Sequence, residues 1–219
     1  MSSSISGALL PDAEPFEHAG GPVGVLLCHG FTGSPQTLRT WAEYVAGQGF
    51  SVSLPRLPGH GTTWQDLART GWQDWYAEVD AAFGVLARRC EQTFVFGLSM
   101  GGCLALRLAE VHGSAVRGLV LVNPSLAADT KLLVLAPVLK YLPWTVPGIA
   151  SDIKKPGASE VGYDRVPLRC REEKSRIGPR GAMSVIRRDP GRTSHCPRRW
   201  PPRHCRGSRH DSYRRIRAP

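Results

Sequence analysis

Gly97, Ser99 and Gly101 are spaced as G-x-S-x-G within "TFVFGLSMGG", residues 93–102. An apolar run precedes them and a helical pattern follows. That arrangement suits a serine nucleophile. The hydroxyl must stand on a sharp strand-to-helix turn, and small neighbours leave room for the turn. The helix that begins there aims its positive end at the site and favours developing negative charge. The alternative is a glycine-rich turn carrying an idle serine. A second stretch, "HGFTGSP" at residues 29–35, closes another apolar run. Acyl transfer needs two backbone N–H groups aimed at the oxyanion of a tetrahedral intermediate. Met100, directly after the serine, is expected to supply one, and Phe31 the other. His29 reads as a histidine that orders its loop, and His60 as a structural residue.

Four apolar, β-branched-rich runs must position these groups: residues 23–30, 50–57, 93–100 and 116–125. They are nearly continuous, as in strands buried on both faces of a parallel sheet. Amphipathic patterns lie between them. Ser34 and Pro35 read as a cap and first turn, followed by Leu38, Trp41, Ala42 and Val45 on one face, with Gly47 and Gly49 ending the helix. Trp75, Val79, Ala82, Phe83 and Leu86 form a second stripe, and Leu104, Ala105 and Leu108 a third. Strands alternating with helices predict an α/β fold.

"CHGFTGSPQ", "LPRLPGHGTT", "WQDWYAEV" and "GLSMGG" occur in this order, and over about residues 20–168 the chain resembles the α/β-hydrolase superfamily. Within it the likeness is to small bacterial carboxylesterases and monoacylglycerol lipases. The resemblance implies a Ser-Asp-His triad, no cofactor and no metal, and hydrolysis of small carboxylic esters through an acyl-enzyme. It carries the nucleophile to Ser99 and the oxyanion donors to Phe31 and Met100. "PGHG", residues 58–61, would line the entrance. "LLVLAPVL" suggests acyl chains of short-to-medium length or monoacylglycerols as substrates.

Three divisions are expected: an α/β-hydrolase core over 1–125, a cap-like insertion over 126–169, and a basic tail over 170–219. The whole chain of 219 residues carries a net charge of +10. The tail alone holds 15 Lys and Arg against 4 Asp and Glu, so the basicity belongs to it. With little apolar periodicity it is expected to be disordered. The family order is Ser, Asp, His. Asp129, Asp152 and Asp164 follow no strand pattern, and His112 reads as a surface residue. Asp189 with His195, His204 or His210 is a weak match for the acid and base. The C-terminal strands are therefore expected to be missing, with a truncation or frameshift near residue 169, and without that acid and base Ser99 would be a weak nucleophile and the chain inactive. The competing reading is a non-catalytic protein whose Arg-rich tail binds nucleic acid or an acidic surface, without sequence specificity. The pairs His195-Cys196 and His204-Cys205 match no usual zinc spacing. Cys28 and Cys103 read as core, and Cys90 as a helix end. The N-terminus lacks a signal-peptide pattern and no run is long enough to span a membrane, so a cytoplasmic location is expected.

Overall fold

The computed structural model describes residues 7–125, 145–147, 163, 165–167, 170 and 177. Its centre is a five-stranded sheet in which three strand pairings are parallel. β2 (Val23–Cys28), β3 (Ser51–Leu54), β4 (Gln92–Leu98) and β5 (Val116–Val122) occupy the four apolar runs, each ending two or three residues before its run does. A short β1 (Phe16–His18) precedes them and pairs antiparallel with β3. The strand order is β1-β3-β2-β4-β5. The chain thus leaves β2 to one side for β3 and returns to its other side for β4. That reversal opens a crevice at the carboxyl ends of β2 and β4, where ligands bind in open α/β sheets. Cys28 and Gly97 are register partners at those ends.

The helices cover both faces. α1 (Gln36–Gly47) buries Leu38, Ala42 and Ala46 against Val25, Leu27, Val52 and Leu54. The expected cap is corrected: Pro35 occupies the N-cap position, and the Ser34 hydroxyl makes no capping bond. The turn closes instead through backbone, with Thr37 N–H donating to the Ser34 carbonyl at 3.1 Å. Trp41 is also displaced from the expected buried face, being 47 % exposed. Beyond the α1 C-terminus Gly49 takes φ +87°, a value glycine adopts without strain. α2 (Trp64–Leu67) is a single turn capped by the Thr63 hydroxyl, which accepts from Asp66 N–H.

α3 (Trp72–Arg89) and α4 (Met100–His112) cover the other face. The Asp74 carboxylate accepts from Gly71 N–H at 2.9 Å and closes the first turn of α3. Trp75, Val79, Phe83 and Leu86 are buried from α3, and Cys103, Leu104, Ala105 and Leu108 from α4. His112 is not a free surface histidine. Its Nε2 lies 2.6 Å from Asp80 Oδ1, and its ring lies 4.7 Å from that of Phe83. The pair ties the end of α4 to α3. Tyr76 donates to the same Asp80 oxygen at 3.2 Å, and partial burial beside that carboxylate pushes its hydroxyl up to about 12.

Beyond residue 125, β6 (Thr145–Pro147) and β7 (Arg165–Pro167) pair antiparallel. Tyr163, Val166, Cys170 and Ile177 are buried and join the core that contains Trp75 and Met100. The chain therefore contributes to the main core on both sides of the expected boundary at residue 169. Tyr163 also pins the loop after β3: its hydroxyl donates to the Gly59 carbonyl at 2.7 Å and accepts from Thr62 N–H at 3.2 Å.

Four rings pack where the loops after β2 and β3 meet α3. The His60 ring lies 5.3 Å from both His29 and Trp75, and Phe31 lies 5.8 Å from Trp75. Trp75 is further fixed by its indole N–H, which donates to Thr70 Oγ1 at 3.0 Å. The Trp75→Ala variant is expected to lose about 3–5 kcal/mol in urea unfolding. Trp41→Ala is expected to stay within about 0.5 kcal/mol of the parent.

The two histidines in this cluster are neutral. His29 Nε2 accepts from Leu57 N–H at 3.2 Å, so the ring proton is on Nδ1, which donates to the Gly30 carbonyl at 2.9 Å. Burial lowers the His29 pKa to about 4, and burial together with nearby His29 lowers that of His60 to about 3. In the unfolded chain both rings take up a proton near the ordinary value of 6.5. Their contribution to stability is thus complete above about pH 6.5. It is lost as pH falls toward 4 for His29 and 3 for His60, at about 1.4 kcal/mol per pH unit for each ring. Urea midpoints measured from pH 8 to pH 5 should fall below pH 6.5; a midpoint unchanged between pH 7 and pH 5 would contradict the neutral pair.

Candidate active site

The end of β4 turns into α4 within one residue. Ser99 takes φ 53° and ψ −115°, a left-handed conformation that a residue with a Cβ adopts only at a cost. Two bonds hold it there. Ser99 N–H donates to the Val122 carbonyl at 2.9 Å, extending the β4–β5 ladder, and the Ser99 carbonyl accepts from Gly102 N–H at 3.0 Å. The turn closes only because its neighbours lack side chains. A Cβ on Gly101 would overlap the Cys28 carbonyl oxygen and lie 2.6 Å from that of His29. A Cβ on Gly97 would overlap the Gly101 carbonyl and meet Gly102 Cα at 2.5 Å. The first turn of α4 therefore rests directly on the backbone that ends β2.

This close approach brings the loop after β2 to the serine. A Cβ on Gly30 would lie 3.5 Å from Ser99 Cβ. Phe31, next in the chain, is buried, with its ring against His60 and Trp75. Thr32 has φ 63°, and its hydroxyl donates to the Phe31 carbonyl at 2.6 Å. His29 holds the start of this loop through both ring nitrogens, to Gly30 and to Leu57. Met100 begins α4, and its N–H belongs to the first turn, which has no acceptor within the helix. Ser99, Phe31 and Met100, named from the sequence, thus come from two chain segments that meet at the carboxyl ends of β2 and β4.

The hydroxyl of Ser99 has a partner the sequence did not suggest. Ser99 Oγ lies 3.1 Å from Ser125 Oγ. Ser125 was expected within the fourth strand, but β5 ends at Val122. The Asn123-Pro124 pair, a turn signal, could have placed it. Among the described residues no histidine hydrogen-bonds Ser99. His29, His60 and His112 are bonded elsewhere. Asp129, Asp152, Asp164, Asp189, His195, His204 and His210 lie outside the described residues, as do Cys196 and Cys205.

Among the described residues no group of three or more His, Cys, Asp or Glu could hold a metal ion. Burial pushes the Cys28 thiol up to about 12, so it behaves as a small apolar side chain. No described helix is long and apolar enough to cross a membrane.

Residues 23–175 match the Hydrolase_4 family model, described as serine aminopeptidase, S33. The chain is 45 % identical over 164 residues to a thermostable monoacylglycerol lipase of Bacillus sp. (strain H-257), covering 73 % of this chain and 63 % of that protein. It is 33 % identical over 108 residues to a carboxylesterase of Bacillus subtilis (strain 168), covering 49 % of this chain and 43 % of that protein. It thus spans less than two thirds of the length of these relatives. A solved structure from work on the metagenome-derived lipolytic enzymes LipS and LipT is 38 % identical, with a TM-score of 0.76 over 82 % of this chain and 73 % of that chain. With the parallel sheet, the serine turn and these matches together, the chain belongs to the Hydrolase_4 family of α/β-hydrolases.

Proposed function

We propose that this protein is a serine carboxylic-ester hydrolase of the carboxylesterase or monoacylglycerol lipase type. The observation that carries the reading is the left-handed Ser99, held between β4 and a helix N-terminus that rests on the end of β2. Ser99 is the nucleophile. Its hydroxyl proton would pass to the imidazole of the Ser-Asp-His arrangement that the family resemblance implies, a base that no described residue supplies. The Oγ–acyl carbon bond forms as the carbonyl electron pair moves onto oxygen. The Phe31 and Met100 N–H groups receive that charge. The C–O bond to the alcohol then breaks, and the alcohol leaves with the proton. Water repeats the sequence on the acyl-enzyme and releases the acid.

A neutral, doubly bonded His29 suits a loop-ordering role here, since a ring with both nitrogens engaged cannot take the serine proton. The substrate is a small-molecule ester, short-to-medium acyl or monoacylglycerol. Support comes from the 45 % identity to a monoacylglycerol lipase and from the apolar "LLVLAPVL" of the proposed cap over 126–169.

The test is p-nitrophenyl butyrate hydrolysis by the full chain beside Ser99→Ala. If the chain supplies the base that the resemblance implies, Ser99-dependent turnover is expected, falling about a millionfold in the variant. Turnover equal in both proteins, or none in the parent, would overturn the reading.

A further inference from the structure

We propose that Ser125 is a positioning residue for Ser99: its hydroxyl donates a hydrogen bond to Ser99 Oγ and strengthens that bond as the oxygen becomes a nucleophile. The inference rests on the ester-hydrolase reading and extends it to a residue outside the triad and the oxyanion loop.

The geometry that carries it begins with the turn after β5. Val122 still bonds Ser99 N–H through its carbonyl. Asn123 then takes φ 43°, in the left-handed region that a residue with a Cβ enters at a cost. Pro124 packs on the elbow, where a Cβ on Gly102 would meet its Cβ at 2.9 Å and its Cα at 3.2 Å. The chain thereby doubles back to Ser99. Ser125 N–H donates to the Ser99 carbonyl at 3.2 Å, and the Ser125 carbonyl accepts from Cys103 Sγ at 3.1 Å. Backbone contacts on both sides thus fix Ser125 to the elbow before its side chain is considered. Its hydroxyl is then 3.1 Å from the Ser99 hydroxyl.

Either hydroxyl could donate in the resting protein. The reaction decides the direction. Ser99 must give its one proton to the base, and its oxygen then gains negative charge. Ser125 keeps its own proton and points it at that oxygen. A hydrogen bond to a charged acceptor is stronger than one to a neutral hydroxyl. The bond therefore favours the transition state over the ground state, which raises turnover without changing substrate affinity. Once Ser99 Oγ is esterified its charge is gone and the bond weakens, so the acyl-enzyme is not trapped by it.

Two readouts on the full chain test this. The first is labelling by a fluorophosphonate: the Ser99 Oγ–phosphorus bond forms, the phosphorus–fluorine bond breaks, fluoride leaves and the serine proton goes to the base. Ser125→Ala should label about tenfold more slowly than the parent, and Ser125→Thr, which keeps the hydroxyl, should recover most of that loss. The second is p-nitrophenyl butyrate turnover, where Ser125→Ala should lower kcat by a similar factor and leave KM unchanged. Circular-dichroism melts of both variants separate this from misfolding. Should Ser125→Ala unfold, Ser125→Thr against Ser125→Cys, a poorer donor, gives the same comparison. Equal labelling of parent and Ser125→Ala would overturn the proposal alone, as would a raised KM with kcat unchanged. A parent that neither labels nor turns over would overturn the ester-hydrolase reading and this proposal with it.

Discussion

The contact between the first turn of α4 and the carbonyls that end β2 organises this molecule. Gly101 permits it, because any side chain there would occupy the Cys28 oxygen. From that contact follow the sharp turn at Ser99 and the nearness of the loop that begins at His29 and Gly30. The crevice at the strand-order reversal becomes a place for chemistry only because two backbones meet there at van der Waals distance. Local strain at Ser99 is held by the β4–β5 ladder and by the helix it begins, which buries nine of its residues.

Behind the site the side chains serve rigidity. Residue type alone would make His29 and His60 candidate bases, yet each is fully buried and neutral, one bonded through both nitrogens and the other packed among aromatic rings. They cost little while neutral and would cost much if charged. The loop that bears Phe31 is therefore set by groups whose protonation does not change across the neutral range. On the far side of α4, His112 and Asp80 join two helices instead of facing solvent alone.

Much of this was legible in the sequence, for identifiable reasons. Strands buried on both faces leave continuous apolar runs, as in β2 and β3; β4 and the edge strand β5 were visible from their apolar runs although β4 alternates and β5 buries no residue. The Gly97-Ser99-Gly101 spacing was visible because sterics leave few alternatives at such a turn. β1 was not, since "FEH" is short, half polar and paired at an edge. The Ser34 cap failed because proline at the next position satisfies the same geometry through backbone alone. Trp41 was assigned inward by periodicity, but the face of α1 that meets the sheet is narrow and small residues fill it. Ser125 was hidden because its partner is 26 residues away and its neighbourhood depends on the left-handed Asn123, which no pattern of hydrophobicity encodes.

The tie between Tyr163 and the loop at residues 59–62 spans 101 to 104 positions of chain. The elbow, by contrast, is assembled from residues within 23–125. Closing so long a loop costs somewhat more entropy than closing the shorter crossovers, about 0.6 kcal/mol per doubling of length. The serine turn is thus bonded within residues 23–125, whereas the loop at residues 59–62 is held by a tyrosine well beyond them.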